Sequence, residues 1–229
     1  WGDHPWNNLV ERPIPQWKDY GVKTLGTMNG RGVVKAPLPY NAQFTPVIDI
    51  TDPVGGTLIR IETDHVHGGS DNCIRAEYIT RKGRQQYESL GWMNGDTLYI
   101  RYPQESSLTV HSVAFRETGY NAEFKGKFHC SDDFINRFRE KALRTLYVNM
   151  RDTYFDCPDR ERAQWWGDVT ILMGESFYQL SPEANMLTRK AIRELVNWQR
   201  ADSTLCSPVP AQNYNSGLPA QMLASISTD

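Results

Sequence analysis

An antiparallel β-sandwich that gives way to an incomplete helical domain is the fold class this sequence predicts, and two observations predict it. Between Trp17 and about Gly119, short apolar runs alternate with polar residues and are separated by turn residues, which is the rhythm of paired antiparallel strands. From Cys130 the apolar spacing changes to about 3.6 residues and amphipathic helices follow. The limits read from these changes are 1–16 as a leading linker, 17–122 as the β-sandwich domain and 123–229 as the helical domain. The linker carries Trp1, Trp6, Pro5, Pro13 and Pro15 with no sustained period, the composition of an extended strap joined to a preceding part of a longer protein.

Six strands are legible: Phe44 to Ile50, Thr57 to Thr63, Cys73 to Thr80, Gln86 to Trp92, Thr97 to Tyr102 and Leu108 to Arg116. In the fifth, Leu98, Ile100 and Tyr102 share one face while Thr97, Tyr99 and Arg101 share the other, as a period of two requires. Asp52 to Gly56, Lys82-Gly83 and Asn94-Gly95 supply the left-handed positions and rigid corners of hairpin turns.

The first helix should start with Ser131 as N-cap and Asp132 and Asp133 in its first turn, where carboxylates meet the positive helix end. Phe134, Phe138, Ala142, Leu146 and Met150 then recur every four residues, up to an end near Asp152. A second helix, from Trp165 or Trp166 to about Leu180, is apolar all round and is therefore expected to be buried. Ser181-Pro182 opens a third, with Ala184, Leu187, Ala191, Leu195 and Trp198 as its stripe. A Pro-, Ser- and Asn-rich loop spans Asp202 to Leu218, including Gln212, Asn213 and Tyr214, and is long enough to carry function. A fourth helix begins near Pro219, and its Met222, Leu223 and Ile226 require partners beyond Asp229. A homodimer is one way for such helices to cover their apolar faces.

The chain has 229 residues, 39% hydrophobic and 23% charged, which is enough for one large domain or two ordinary ones. A formal net charge of −2 without a dense Lys/Arg cluster gives no footprint for nucleic acid or an anionic membrane. No apolar run approaches the ~20 residues of a membrane span. The four cysteines, Cys73, Cys130, Cys157 and Cys206, are scattered and read as free thiols. The chain opens on Trp1, so its start reads as cut and any targeting segment as lost. The compartment is left undetermined, leaning to periplasmic or extracellular over cytoplasmic. His65-x-His67 could begin a metal site but lacks a third ligand and reads better as an exposed turn. No Walker or dinucleotide glycine loop and no Gly-x-Ser-x-Gly elbow is present. No metal or other cofactor is expected.

Chemistry concentrates in Asp156-Cys-Pro-Asp-Arg-Glu-Arg-Ala-Gln-Trp-Trp-Gly-Asp168. Four carboxylates, two guanidinium groups and two adjacent indoles are what a site needs to protonate, orient and stack a sugar. A salt-bridged loop, with Arg160 and Arg162 neutralising Asp156, Asp159 and Glu161, is the plainer reading. Cys157 has no histidine near it in sequence and reads as a buried structural thiol. Trp165 and Trp166 differ by about 100° around a helix, so one should line a pocket and the other should pack.

The run Asp156-Cys-Pro-Asp-Arg-Glu-Arg, closing with Trp166-Gly167-Asp168, resembles the signature of bacterial α-L-rhamnosidases, inverting glycoside hydrolases with an (α/α)6-barrel catalytic domain. Glu11 to Pro15, Glu77 to Thr80 with Gly91-Trp92, Gly119-Tyr120 and Ser207 to Pro210 with Leu218-Pro219 look similar to the sandwich, junction and early barrel of such enzymes. The resemblance implies that 123–229 are the first helices of an incomplete (α/α)6 barrel and that Glu161 is the general acid. It makes Asp156, Arg160 and Asp168 the groups that bind rhamnose; Trp165 and Trp166 stand beside them as substrate-binding candidates, of which one is expected to line the pocket. It also implies that the general base lies downstream of Asp229, so the 229 residues alone would be inactive. Burial against an indole and the charges of Asp156 or Asp168 would raise the pKa of Glu161, while Arg160 and Arg162 would oppose that. The expected partner is a rhamnose-containing glycan or glycoside. Two alternatives stand beside it: a noncatalytic carbohydrate-binding or structural module, and a barrel glycosidase for another sugar.

Overall fold

The computed structural model describes residues 10–65 and 74–209. Eight strands come first: β1 Lys18–Thr24, β2 Met28–Gly30, β3 Val33–Asp52, β4 Leu58–Thr63, β5 Ile74–Ile79, β6 Gly83–Glu88, β7 Met93–Arg101 and β8 Thr109–Gly119. Three helices follow: α1 Asp133–Val148, α2 Trp166–Gln179 and α3 Ala184–Asn197. The fourth helix expected near Pro219, together with Gln212, Asn213, Tyr214, His67, Cys73, Trp1 and Trp6, lies outside the described residues.

All the strands join one antiparallel sheet, not the two stacked sheets of the expected sandwich, in the order β1-β8-β3-β7-β4-β5 with β2 and β6 also on β3. The 20-residue β3 is its spine. Val33, Val34 and Lys35 pair with β2 on one flank and β7 on the other, while Val47 to Thr51 pair with β8 and β6. Its even-numbered apolar residues point to one face: Val34, Ala36, Leu38, Ala42, Phe44, Ile48 and Ile50 are all buried. They meet Ile59, Ile61, Leu98, Ile100, Val113 and Phe115 in a single core, so the sheet folds over its own inner face.

Sequence alternation finds β4 to β8 and the second half of β3. It does not find β1, β2 or the first half of β3, because β2 is wholly exposed and Pro37 and Pro39 interrupt β3. Asn94-Gly95 is not a hairpin turn. Both residues sit within β7 opposite Gln43 and Ala42, next to the register shift between Pro37 and Ala42. A side chain at Gly95 would meet Thr63 Cβ at 2.9 Å, so close backbone approach, not a turn, selects glycine there.

The Asp52 to Gly56 corner does turn the chain, and Asp52 holds it. Its carboxylate accepts from the Val54 and Gly55 amides at 2.9 Å each and from Thr80 Oγ1 at 2.5 Å. These donors, the Gly55 amide foremost, hold the Asp52 carboxyl far below the usual carboxylate range. A depressed folded pKa contributes stability above the unfolded value, ~3.9, and loses it as pH falls toward the folded value. Asp52→Asn should therefore lower the urea midpoint at neutral pH, with the gap from the parent closing only as the pH drops below about 4.

Asp132, not Ser131, caps α1, and its carboxylate accepts from the Phe134 amide at 2.8 Å. α3 starts later than its Ser-Pro signal, at Ala184, and buries the expected stripe of Ala184, Leu187, Ala191 and Leu195. α2 is not buried all round. Val169, Leu172 and Met173 are buried with Trp166, but Ile171, Phe177 and Tyr178 are exposed, as are Phe134 and Phe138 on α1. Periodicity reports which side of a helix is apolar and is silent on whether anything covers it.

Sheet and helices lock where α1 ends. Buried Gln43 of β3 donates its amide to the carbonyls of Val148 at 2.7 Å and Met150 at 3.2 Å, satisfying acceptors that a helix C-terminus leaves open. Arg151 Nη1 returns to Gln43 Oε1 at 2.9 Å and to Thr118 Oγ1 at 3.0 Å. Tyr147 OH donates to the Tyr120 carbonyl at 2.7 Å.

Candidate active site

Between α1 and α2 the chain runs without regular structure from Asn149 to Trp165. Pro158 has no amide hydrogen to give a helix, and local hydrogen bonds shape the segment instead. The Asp156 amide donates to the Ala163 carbonyl at 3.0 Å and the Ala163 amide returns to Asp156 Oδ1 at 3.1 Å, which closes 156–163 into a loop. Within it the Glu161 amide points to Cys157 Sγ at 3.4 Å and Arg162 Nε donates to the Pro158 carbonyl at 2.9 Å.

The exit from the loop is pinned by Gln164, 2% exposed. Its backbone pairs in both directions with Val209, its amide donates to the Ala191 carbonyl at 3.0 Å, and Thr153 Oγ1 donates to its Oε1 at 2.5 Å. Trp166 continues the anchor, its amide donating to Ser207 Oγ at 3.0 Å. α2 begins here, which carries Asp168 in its first turn.

These elements bring Asp156, Arg160, Glu161, Trp165 and Asp168 around one open depression of about 570 Å³, with Cys157 and Asp159. Glu161 is on the loop and not on α2, so no shared helix face aligns it with Asp168. The Trp165 indole donates from Nε1 to Glu161 Oε2 at 2.5 Å, and the Arg160 guanidinium pairs with Glu161 Oε1. Trp166 is not in the depression. It is 0% exposed in the helical core beside Tyr154, Val169 and Leu187, so of the two tryptophans offered as substrate-binding Trp166 is the one that packs and Trp165 the one at the depression. Cys157 is a free thiol on the edge of the depression and only partly buried, not a core thiol. Asp159, which the sequence offers only as a charge of the loop, lines the site as well.

Asp168 has its carboxyl pKa raised above the usual aspartate range. Partial burial raises it first, and the negative charges of Asp156 and then Glu161 add to the rise. A raised folded pKa opposes folding as pH climbs through and above the ordinary aspartate range. Asp168→Asn should therefore increase the melting temperature at pH 7 and lose that advantage below about pH 4, read by thermal unfolding at several pH values.

Away from this depression, Asp64, His65 and Asp96 lie close enough to share an ion. Their atoms already tie the strand edge: Asp64 Oδ1 accepts from the Asp96 and Thr97 amides and His65 Nδ1 meets Asn94 Nδ2 at 2.9 Å.

A curled antiparallel sheet leading into helices is a fold this chain shares with several solved structures. A GH78 family rhamnosidase of Bacillus sp. GL1 is 22% identical with a TM-score of 0.72, the match covering 88% of this chain and 22% of that one. The α-L-rhamnosidase from Dictyoglumus thermophilum is 18% identical at a TM-score of 0.71, over 87% of this chain and 24% of that one. A Streptomyces avermitilis α-L-rhamnosidase complexed with L-rhamnose is 17% identical at 0.73, over 91% and 21%. The chain thus spans about a quarter or less of these relatives. Residues 123–222 match the bacterial alpha-L-rhamnosidase 6 hairpin glycosidase domain. The likeness to the bacterial α-L-rhamnosidases that the Asp156 to Asp168 signature carries is therefore found in both the family model and the fold. Comparison with curated protein sequences gives no match.

Proposed function

We propose that the chain is part of an inverting glycoside hydrolase for terminal α-L-rhamnosides, with residues 17–122 as its sheet domain and 123–229 as the opening helices of an (α/α)6 barrel. The observation that carries this is the gathering of Glu161, Asp156 and Asp168 around one open depression within the matched residues. Glu161 is the general acid that protonates the glycosidic oxygen. Asp156, Arg160 and Asp168 hold sugar hydroxyls, and Trp165 offers a ring face to the sugar's C–H side. Inversion requires a second carboxylate ~6.5–9.5 Å away to activate water on the opposite face of the ring. That base is supplied from outside these 229 residues. The exposed apolar sides of α1 and α2 are then where later helices of the barrel pack.

A second reading of the acid follows from the raised pKa of Asp168. A carboxyl that keeps its proton nearer neutral pH is the better donor, which would make Asp168 the acid and Glu161 a sugar-binding group. Both readings share one test. The full-length polypeptide containing this sequence is given a panel of aryl glycosides while proton NMR follows the anomeric signal. Cleavage of the α-L-rhamnoside with β-L-rhamnose appearing first is the expected result. Cleavage of another glycoside in preference would transfer the site to another sugar, and retention of configuration would remove the inverting mechanism.

A further inference from the structure

The sheet domain reaches the loop that carries Glu161 through a ladder of alternating indoles and guanidinium groups. Arg151 lies 3.7 Å from the Trp17 ring centroid and 4.9 Å from that of Trp92, and on Trp92 sits Arg162, 3.6 Å from the centroid. We propose that Trp92 and Arg162 are positioning residues, through which the sheet fixes the 156–163 loop and with it the direction of Glu161; the catalytic part of this rests on the function proposed above.

Three observations carry it. Trp92, in the link just before β7, touches both ends of the loop: its ring stacks on Phe155, which precedes Asp156, with centroids 5.9 Å apart, and on Arg162, which follows Glu161. Arg162 also holds the left-handed backbone conformation, with φ at 51°. That conformation is unfavourable for a residue with a Cβ and persists where surroundings impose it. Here the side chain does so, with Nε on the Pro158 carbonyl at 2.9 Å and Nη2 on the Trp92 carbonyl at 3.4 Å.

The third observation is the rigid backing. Arg151 is 4% exposed and is tied to Gln43 of β3 and Thr118 of β8. Burial, and then the neighbouring charge of Arg162, lower its pKa to about 10, so it remains a cation at neutral pH and keeps its attraction for both indoles. The ladder therefore connects the spine of the sheet to the residue after the proposed acid. A site held by stacked planes tolerates little drift, and a misplacement near 1 Å costs on the order of a hundredfold in rate.

The test uses amide hydrogen exchange on the full-length polypeptide containing this sequence, which needs no activity. In Trp92→Ala the amides of Asp156, Glu161 and Ala163 should exchange roughly tenfold faster, because the local opening loses a stack on each side. Amides of β3 and β8 should be unchanged, and Trp92→Phe should restore most of the protection. Arg162→Gly is the second variant, since glycine accepts the left-handed backbone while removing the guanidinium; it folds without strain and should show the same loop-specific acceleration. Unchanged loop exchange in either variant, or an equal rise in the sheet amides, would overturn the positioning role. In the full-length polypeptide the same substitutions should lower kcat by roughly ten- to a hundredfold with KM moved less. If the loop amides respond as stated but the parent polypeptide cleaves no rhamnoside, the proposed function fails while the clamp stands.

Discussion

Glu161→Gln in the full-length polypeptide should stop release of L-rhamnose from a p-nitrophenyl α-L-rhamnoside, with a fall in kcat on the order of 10²- to 10⁴-fold, and leave the affinity for free L-rhamnose within a few-fold. The amide keeps the size of the side chain and can still face the Trp165 indole, but has no proton to give to the leaving oxygen. The loss should shrink as the leaving group improves, because a dinitrophenolate departs with little help from an acid. Asp168→Asn serves as the partner experiment. If the leaving-group dependence appears there and not in Glu161→Gln, the proton donor is Asp168, in line with its raised pKa. A variant at Glu161 that turns over poor leaving groups at near-parental rates removes that residue from the acid role altogether.

Trp166→Ala should be the most damaging single change to stability in the site region, at about 3 to 5 kcal/mol. Trp166 is fully buried, its ring fills the helical core, and its amide and the neighbouring Gln164 fasten the loop to Ser207 and Val209. An alanine leaves a cavity that the flanking helices cannot fill without moving Leu187 and Val169. Trp165→Ala, one residue earlier, should cost less than about 1 kcal/mol, since its ring edges an open depression. It should weaken sugar binding instead. Denaturant unfolding of both variants, followed by circular dichroism, separates the two tryptophans; equal losses of stability would show that Trp165 also packs as core.

That pair shows what was legible in the sequence. The two adjacent indoles part as expected, although Trp165 is the extended N-cap before α2 and not a helical neighbour of Trp166, and proximity along the chain places Asp156, Glu161 and Asp168 near one another. Which indole turns inward depends on what lies behind the helix, and that is set by Tyr154 and Leu187 from other segments. The ladder of Trp17, Arg151, Trp92 and Arg162 was hidden for the same reason: its members are far apart in sequence and meet only after the sheet closes. Strands β4, β7 and β8 were visible because each buries one face, and β5 and β6 because Ala76, Tyr78 and Tyr87 pack partly against the same core. β2 buries nothing, and the first half of β3 contains prolines that argue against a strand until β7 is seen beside it. On α1 the spacing of Phe134 and Phe138 is correctly helical, yet both rings are exposed among the described residues. Burial belongs to the neighbour, and periodicity carries no record of the neighbour.

The long spine of the sheet sets an order of assembly. Apart from its short hairpin with β2, β3 pairs with chain made later, Val33 with Arg101 and Ile48 with Val113, so closing those loops is slow relative to winding a helix. α2 and α3, adjacent in sequence, can meet first. The C-terminal turn of α1 has to wait, because the amide that satisfies its last carbonyls belongs to Gln43 on that spine. The loop bearing Glu161 consequently gains its backing only when a strand from the far end of the sequence arrives behind it.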